Sequence, residues 1–515
     1  MKIIITLLLT LQLFALDSLK ERLALDHILT AKILYPLELE KIYISNDYNL
    51  TWKNPHSREA LIIALQNSQF HGIDPRLLHL KEIEEISDPA AQDILLNDAI
   101  LSYISTLEGS LIDPKKLHKF WNIEKKSFDL QKRYETLLSL PQEEYNNYFE
   151  ALAPQHFLYQ NTKAWLIHYL ELQKQLSTTP KIELISPLLY SDEDPAILQI
   201  RTLLFYEGFL TEDSHSELFD SEFEDALKAY QRHHGKKADG ILGKSTLKLF
   251  ETPLKDRVAT LSLNLERARW VLQVLDDEYI VVNIASYLLY YIKDSKILFS
   301  TPVIVGKQMH ETPIFAGKMH YIVYNPTWTV PFSIAAKEIL PKVQKDPHYM
   351  QKKNLELLDR RMMPVEDTNI DFSLYSSENF PYTFRQKSGK QNALGRVKFL
   401  FPNSNAIYLH DTPARYLFSQ KKREFSHGCI RVKNPFTLAE ILLKQQNLWS
   451  SDIKALEKDL TTTKITLKKQ IPTLLMYWTA AADIKGNIYF YEDHYHLDRN
   501  LQKAIDKKIE ESILK

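Results

Sequence analysis

The hydrophobic pattern of the chain changes its period near residue 279, and this change limits the possible folds more than any other feature. Before that point apolar residues recur at helical spacings among charged ones, and glycine is rare. From Tyr279 onward, β-branched and aromatic runs of strand length take their place. The pattern predicts a multidomain α+β protein with helices first and an antiparallel, β-sandwich-like domain second.

The helical half divides into two parts. Residues 17–185 are typical of a helical scaffold and contain no catalytic cluster. Residues 190–252 carry three helix signals in order: Asp194 caps the first helix, Ser221 begins a capping box, and Gly243 precedes the third. We therefore expect a compact three-helix module between the scaffold and the β-domain.

The two ends of the chain and one internal segment complete the predicted organisation. Residues 1–15 have the form of a short signal peptide, because one lysine precedes a mostly apolar run of roughly 13 residues, whereas a membrane span needs about 20. An N-terminal core element and an uncleaved anchor in the inner membrane are the alternatives. We assign residues 278–498 to the β-domain, with a polar, lid-like helical or loop insertion at about 338–390, and residues 499–515 to a C-terminal helix or tail.

A single cysteine, Cys429, is the strongest chemical signal. Exported proteins normally pair their cysteines as disulfides, so an unpaired one indicates a thiol kept for its reactivity. It lies in the stretch Phe425–Arg431, after Ser426, His427 and Gly428, and unlike a core segment this stretch is small and polar with a cation at its end. Lys and Arg number 64 against 65 Asp and Glu, so the charge balance gives no reason to expect a nucleic acid partner.

A thiol is a weak nucleophile until a base removes its proton, and His410 is the candidate for that role. The imidazole needs an acceptor for its other nitrogen, which either the carbonyl or the carboxylate of Asp411 could supply. Gly428 permits a tight turn whose backbone N–H groups face a developing oxyanion, and the phenol of Tyr408 lies on the same strand face as His410. The residues therefore predict covalent catalysis by a thiol.

Two other interpretations compete with this one. A lone cysteine is often an inert buried residue. His410, His427 and Cys429 are also possible metal ligands, but the chain has no Cys-x-x-Cys pair and no His-x-x-x-His pair, so we expect no metal and no cofactor.

Two sets of motifs resemble known families. The first set resembles the peptidoglycan-binding domain family and comprises Ala226–Gly235, Ala238–Gly243 and Ser245–Leu247. The second resembles the signature of the L,D-transpeptidase catalytic domain, or YkuD, family: His410, fifteen intervening residues, then Ser426–Arg431. Further stretches resemble the large, multidomain branch of that family: Asn264–Trp270, Val305–Lys307, Asn325–Trp328, Asn392–Gly395 and Tyr408–Pro413. One departure is Arg431, where many members carry asparagine.

The resemblance implies a periplasmic enzyme of peptidoglycan biosynthesis, cell-wall organisation and cell shape. Cys429 would be acylated by a peptidoglycan stem tetrapeptide and His410 would be the base. The oxyanion and substrate-binding positions would be Tyr408, Asp411, Ser426, His427, Gly428 and Arg431. Transfer to an amine of a neighbouring stem would form a 3→3 crosslink, and carbapenem-type β-lactams would be covalent inhibitors. An L,D-carboxypeptidase, an enzyme that attaches lipoprotein to the wall, and a catalytically silent wall-binding scaffold are the alternatives.

Overall fold

The computed structural model describes residues 33–176, 182–365 and 370–514, so the predicted signal peptide lies outside the described residues. The chain divides into two compact units. Among the described residues, the first contains residues 33–119, 123–176, 182–274 and 478–514, and the second contains residues 120–122, 275–365 and 370–477. In the described part of the chain no helix combines the length and the apolar character that a bilayer span requires.

The α-helices follow the helical periodicity of the first half of the sequence and recur as short segments in the second. In chain order they are α1 (Pro36–Ser45), α2 (Pro55–Gln66), α3 (Leu80–Glu85), α4 (Pro89–Glu108), α5 (Leu130–Leu138), α6 (Tyr145–Leu152), α7 (Phe157–Gln175), α8 (Pro195–Tyr206), α9 (Ser221–His233), α10 (Lys244–Phe250), α11 (Leu254–Arg269), α12 (Phe332–Ile334), α13 (Leu340–Lys345), α14 (Tyr349–Lys352), α15 (Pro435–Gln445), α16 (Ser451–Ala455) and α17 (Leu497–Leu514).

Helix α4 is the centre of the scaffold part of the first unit. It is apolar on nearly all sides and almost entirely buried, as expected for a helix surrounded by others. Two of its buried carboxylates bind main-chain N–H groups. Asp93 accepts a hydrogen bond from the Trp52 amide at 2.8 Å, and Asp98 accepts one from the Tyr35 amide at 2.8 Å. The carboxylates thus fix the chain segments that precede and follow α1.

Helices α8, α9 and α10 form the predicted three-helix module around one apolar core. Asp194 caps α8 as predicted, with its side chain accepting from the Ala196 amide. The start of α9 differs from the capping-box prediction, because Asp220 is the cap and Ser221 is already inside the helix. An aspartate oxygen accepts the Phe223 amide at 2.8 Å there, which satisfies one of the free N–H groups of the first turn.

The second unit is built on a nine-stranded sheet. The strands of both units, in chain order, are β1 (Glu278–Asn283), β2 (Leu288–Lys293), β3 (Lys296–Gly306), β4 (Phe315–Tyr324), β5 (Trp328–Thr329), β6 (Leu355–Leu358), β7 (Thr383–Gln386), β8 (Val397–Leu400), β9 (Leu409–His410), β10 (Glu424–Ser426), β11 (Ile430–Val432), β12 (Thr463–Met476), β13 (Ala480–Ala482) and β14 (Ile488–Phe490). Their order in the large sheet is β10-β3-β11-β9-β8-β4-β12-β1-β2. Because β3 also pairs with β2, the sheet folds over and closes on itself.

The pairing is mostly antiparallel, with three parallel contacts that the sequence did not reveal: β1 with β12, β10 with β3, and β11 with β9. Strands β13 and β14, which we expected in the β-domain, pair with each other within the first unit instead. They lie beside α7, where Gly486 accepts a hydrogen bond from the Trp165 indole at 2.7 Å.

An insertion, residues 328–386, lies between β4 and β8. It is more ordered than the predicted helical or loop segment, because β5, β7 and β6 form a three-stranded sheet over their own apolar core. Between α12 and α13 the helix widens into a π segment, Ala335–Ile339. Pro341 follows in the next turn and has no N–H for the usual bond to Lys337, which accounts for the irregularity there.

Candidate active site

The candidate site lies where β8, β9 and β11 run side by side. His410 on β9 pairs with Lys398 on β8 and with Arg431 on β11. Residues directly opposite on paired strands point to the same face of a sheet, so the three side chains form one row. Cys429 and Tyr408 each precede their strand by one residue, and the Ile430 amide donates to the Tyr408 carbonyl at 3.1 Å. The cysteine is thereby placed next to Tyr408 and diagonal to His410.

A tight turn before β11 carries the cysteine. Gly428 has a φ of +109°, a conformation that favours glycine. Ser426 is buried, and its hydroxyl donates to the Cys429 carbonyl at 2.6 Å and accepts from the Gly428 amide at 3.1 Å. Thr312, also buried, donates its hydroxyl to the Gly428 carbonyl at 2.8 Å. The two hydroxyls therefore hold the turn from inside.

This bonding changes the expected oxyanion site. The Gly428 N–H is occupied by Ser426 and cannot point at a substrate without breaking that bond. The Cys429 N–H makes no hydrogen bond with any residue that the structure describes. Of the two backbone donors predicted for the oxyanion, only that of Cys429 is available.

The thiol of Cys429 is half-buried and unpaired. Its Sγ lies 3.7 Å from the Ala406 carbonyl oxygen, in a geometry in which the thiol proton is donated. Burial raises the pKa of the Cys429 thiol above its ordinary value. Hydrogen bonds from the backbone and the phenol of Tyr408, and the charges of Lys398 and Arg431, act in the opposite direction. The resting thiol is thus protonated but surrounded by groups that stabilise its anion.

His410 is buried and oriented through the main chain. Its Nδ1 lies 2.5 Å from the Asp411 carbonyl oxygen, which can only accept, so Nδ1 carries the proton and Nε2 is left as the acceptor. Burial, followed by the neighbouring charges of Arg431 and Lys398, lowers the pKa of His410 to about 3. The imidazole is therefore neutral at pH 7, with Nε2 unprotonated.

The Asp411 carboxylate binds other groups than the imidazole. It accepts hydrogen bonds from the Arg396 amide at 2.9 Å and from the Arg415 guanidinium at 2.8 Å. Of the two acceptors that the sequence left open for His410, the carbonyl is the one in contact. Gly395 makes room for this arrangement, since a Cβ added there would lie 2.4 Å from the Asp411 side chain.

The insertion reaches the site at two points. Glu338, in the π segment, lies with Oε1 2.8 Å from Nε2 of His427, which is exposed on the turn before the cysteine. The ring of His310 is tilted against that of His427, with centroids 5.1 Å apart. Burial raises the pKa of the Tyr408 phenol, and the side chain of Trp328, at the start of the insertion, acts in the opposite direction.

Sequence reasoning missed several residues of this site: Thr312, Trp328, Glu338, Lys398 and Arg415. The most informative of them is Lys398. It is a charged residue inside an otherwise apolar strand, and this feature of the sequence could have identified it as a site residue. Arg431, which was predicted, is largely buried, and its Nε has no hydrogen-bond partner in the described part of the chain. Nowhere in residues 33–176, 182–365 and 370–514 do three His, Cys, Asp or Glu side chains lie close enough to hold a metal ion.

Family models match three segments of the chain. Residues 277–458 match the L,D-transpeptidase catalytic domain, named YkuD. Residues 37–166 match a scaffold domain, and residues 193–250 match the model described as "Putative peptidoglycan binding domain". The three matches follow one another in the order that the sequence predicted.

Individual proteins are similar over part of the chain. A "Putative L,D-transpeptidase" of Haemophilus influenzae is 37% identical over 246 residues, which are 47% of this chain and 49% of that protein. The chain thus spans about half the length of this curated relative.

Two solved structures cover just over half of the chain. An L,D-transpeptidase of Xylanimonas cellulosilytica (residues 123–326) is 12% identical, covers 57% of this chain and 100% of its own, and has a TM-score of 0.18. An L,D-transpeptidase of Stackebrandtia nassauensis is 15% identical, covers 56% and 97%, and has a TM-score of 0.21. TM-scores this low do not establish a shared fold, so neither structure supports a family assignment.

Proposed function

Because the chain contains an L,D-transpeptidase catalytic domain and a peptidoglycan-binding domain, we propose that it is a cell-wall L,D-transpeptidase that uses Cys429 as its nucleophile. The observation that carries this proposal is the register of β9 and β11, which puts the only cysteine against Tyr408 and diagonal to His410. We assign the enzyme to the periplasm, where peptidoglycan stems are found.

We propose the acylation step with His410 as the base. His410 Nε2 takes the thiol proton as the sulfur attacks the carbonyl carbon of the third stem residue, a diamino acid. The new S–C bond places negative charge on the carbonyl oxygen, and the free Cys429 N–H is the backbone donor nearest to it. The C–N bond to the terminal D-alanine then breaks, and His410 returns the proton to the departing amine. The product is a thioester on Cys429.

The transfer step uses the same groups in reverse. A side-chain amine of a neighbouring stem attacks the thioester, His410 accepts its proton, and the thiolate departs. The product is a 3→3 crosslink, and the free thiol is restored. Water competes with the amine, so excluding solvent favours crosslinking over hydrolysis.

Two observations support a role of the insertion in excluding solvent. Its Glu338 contacts His427 on the cysteine turn, and its Trp328 side chain acts on the Tyr408 phenol. We propose that the insertion is a lid over the acyl-enzyme. The peptidoglycan-binding module would raise the local concentration of stem peptides near the thiol.

Incubation of the purified protein with tetrapeptide muropeptides tests the proposal. Crosslinked dimers from the wild-type protein, and none from Cys429→Ala, are the expected result. Tripeptides alone would indicate a carboxypeptidase, and transfer only to an added lipoprotein amine would indicate the attaching enzyme. No product from either protein, with binding to wall material intact, would indicate a silent scaffold and refute the proposal. A carbapenem should add once to the wild-type chain and not to Cys429→Ala.

A further inference from the structure

A half-buried lysine lies beside the candidate nucleophile, and neither the motifs nor the predicted mechanism gives it a role. Lys398 is the second residue of β8, and its register partner on β9 is His410. Its ammonium group lies over the ring of Tyr408, with Nζ 3.8 Å from the ring centroid. The phenol of the same Tyr408 acts on the Cys429 thiol, whose pKa it lowers against the effect of burial. One aromatic ring therefore separates a cation from the sulfur.

The ammonium of Lys398 has no anionic partner. No carboxylate forms an ion pair with it among the residues that the structure describes. The nearest acidic side chain along the strands, that of Asp411, is bonded to Arg415 and the Arg396 amide. Even a half-buried charge without a partner is costly, so its retention indicates that a negative charge forms nearby at some stage.

The other charged and titratable groups around the sulfur do not supply that balance. They include Tyr408, which precedes β9, His410 on β9, and Arg431 on β11. The imidazole of His410 lies between Lys398 and Arg431, whose charges oppose its protonation. A long-lived thiolate–imidazolium pair is therefore disfavoured, and the charge that develops on sulfur must be balanced by the fixed cations.

We propose that Lys398 is the electrostatic partner of the Cys429 thiolate, with the Tyr408 ring holding the cation in place. This inference rests on the proposed role of Cys429 as the nucleophile. Lys398 acts through the field at the sulfur and through the Tyr408 phenol, so it is a positioning residue and not a catalytic one. Burial lowers the pKa of Lys398, and the charge of Cys429 opposes that lowering, which is the reciprocal of the same interaction.

The sheet contains a matched control for the loss of a cation–π contact. Lys464 on β12 lies over the ring of Tyr321 on β4, with Nζ 3.6 Å from the centroid. Two strands, β4 and β8, separate β12 from β9. Lys464→Met therefore removes the same kind of contact from the same sheet without removing a charge from the thiol.

The test measures the rate at which iodoacetamide alkylates Cys429 as a function of pH. The extent of alkylation is monitored by intact-protein mass spectrometry. The chain has one cysteine, so each added group reports this thiol alone. We expect Lys398→Met and Lys398→Gln to raise the apparent thiol pKa by about 1–2 units, the usual effect of removing an adjacent opposite charge. Lys398→Arg should stay within about half a unit of wild type, since it keeps the cation, and Lys464→Met should match wild type.

Two results would overturn the inference. One is a Lys398→Met or Lys398→Gln profile that superimposes on wild type. The other is a Lys398→Arg profile shifted as far as that of Lys398→Met, which would mean that packing and not charge is responsible. Alkylation requires no peptidoglycan, so this outcome is independent of whether the muropeptide assay yields dimers.

Discussion

Replacing Ser426 by alanine removes the hydroxyl that ties the cysteine turn together. The side chain is 2% exposed, and its Oγ bonds both the Gly428 amide and the Cys429 carbonyl. A buried N–H left without a partner costs about 1–3 kcal/mol, and the carbonyl adds about 1 kcal/mol, which gives about 3 kcal/mol in all. For a unit of this size, at about 3 °C per kcal/mol, the Tm of the second unit should fall by about 9 °C.

Scanning calorimetry of the full chain measures this shift, and Ser419→Ala is the matched control. Ser419 donates to the Tyr416 carbonyl at the same 2.6 Å but is exposed, so water replaces the lost bond. We expect a shift of about 1.5 °C or less for the control, corresponding to less than about 0.5 kcal/mol. Equal shifts for the two variants would refute the view that the Ser426 hydroxyl holds the turn.

Three further predictions concern the base, the lid and acid stability. Gly395→Ala should slow carbapenem acylation of the purified protein at least tenfold, because the new Cβ would displace Asp411, whose carbonyl orients His410. Gly389→Ala is the control, because a Cβ added there has no atom within 4 Å, and it should be acylated at the wild-type rate. Glu338→Ala should raise the ratio of tripeptide to dimer in the muropeptide assay, since the lid loses its contact with His427; an unchanged ratio would count against the lid. Burial lowers the pKa of three first-unit histidines from 6.5 to about 4 or 3: His118, His156 and His233. The unfolded chain takes up protons at these histidines near pH 6.5, whereas the folded chain does not. The Tm of the first unit should therefore fall as the pH is lowered from 6.5 toward 4, measured by calorimetry at a series of pH values. A constant Tm would contradict this.

Local patterns in the sequence carried most of the architecture. The period change near residue 279 separated helices from strands, and the Asp194 cap was recognised because its bond spans only two residues. The capping box at Ser221 was placed one residue late. Asp220 and Ser221 are both good caps, and only the backbone conformation decides between them.

What the sequence could not supply is the pairing between distant strands. The spacing of His410 and Cys429 predicted that they come together, but the parallel register of β9 and β11 could not be read from it. Lys398 joins the site only through the antiparallel register of β8 and β9, since eleven residues separate it from His410 along the chain. The sheet of the insertion was missed for the same reason, because β5 and its partner β7 lie more than fifty residues apart.

The central claim is that Cys429 carries the stem peptide as a thioester, and trapping that intermediate tests it most directly. The wild-type protein is mixed with a tetrapeptide donor without an acceptor amine, quenched in acid, and analysed by intact mass and peptide mapping. The account predicts one tripeptidyl group on the peptide that contains Cys429, with one D-alanine released for each group added. An adduct on any other residue, or D-alanine release by Cys429→Ala at the wild-type rate, would contradict it.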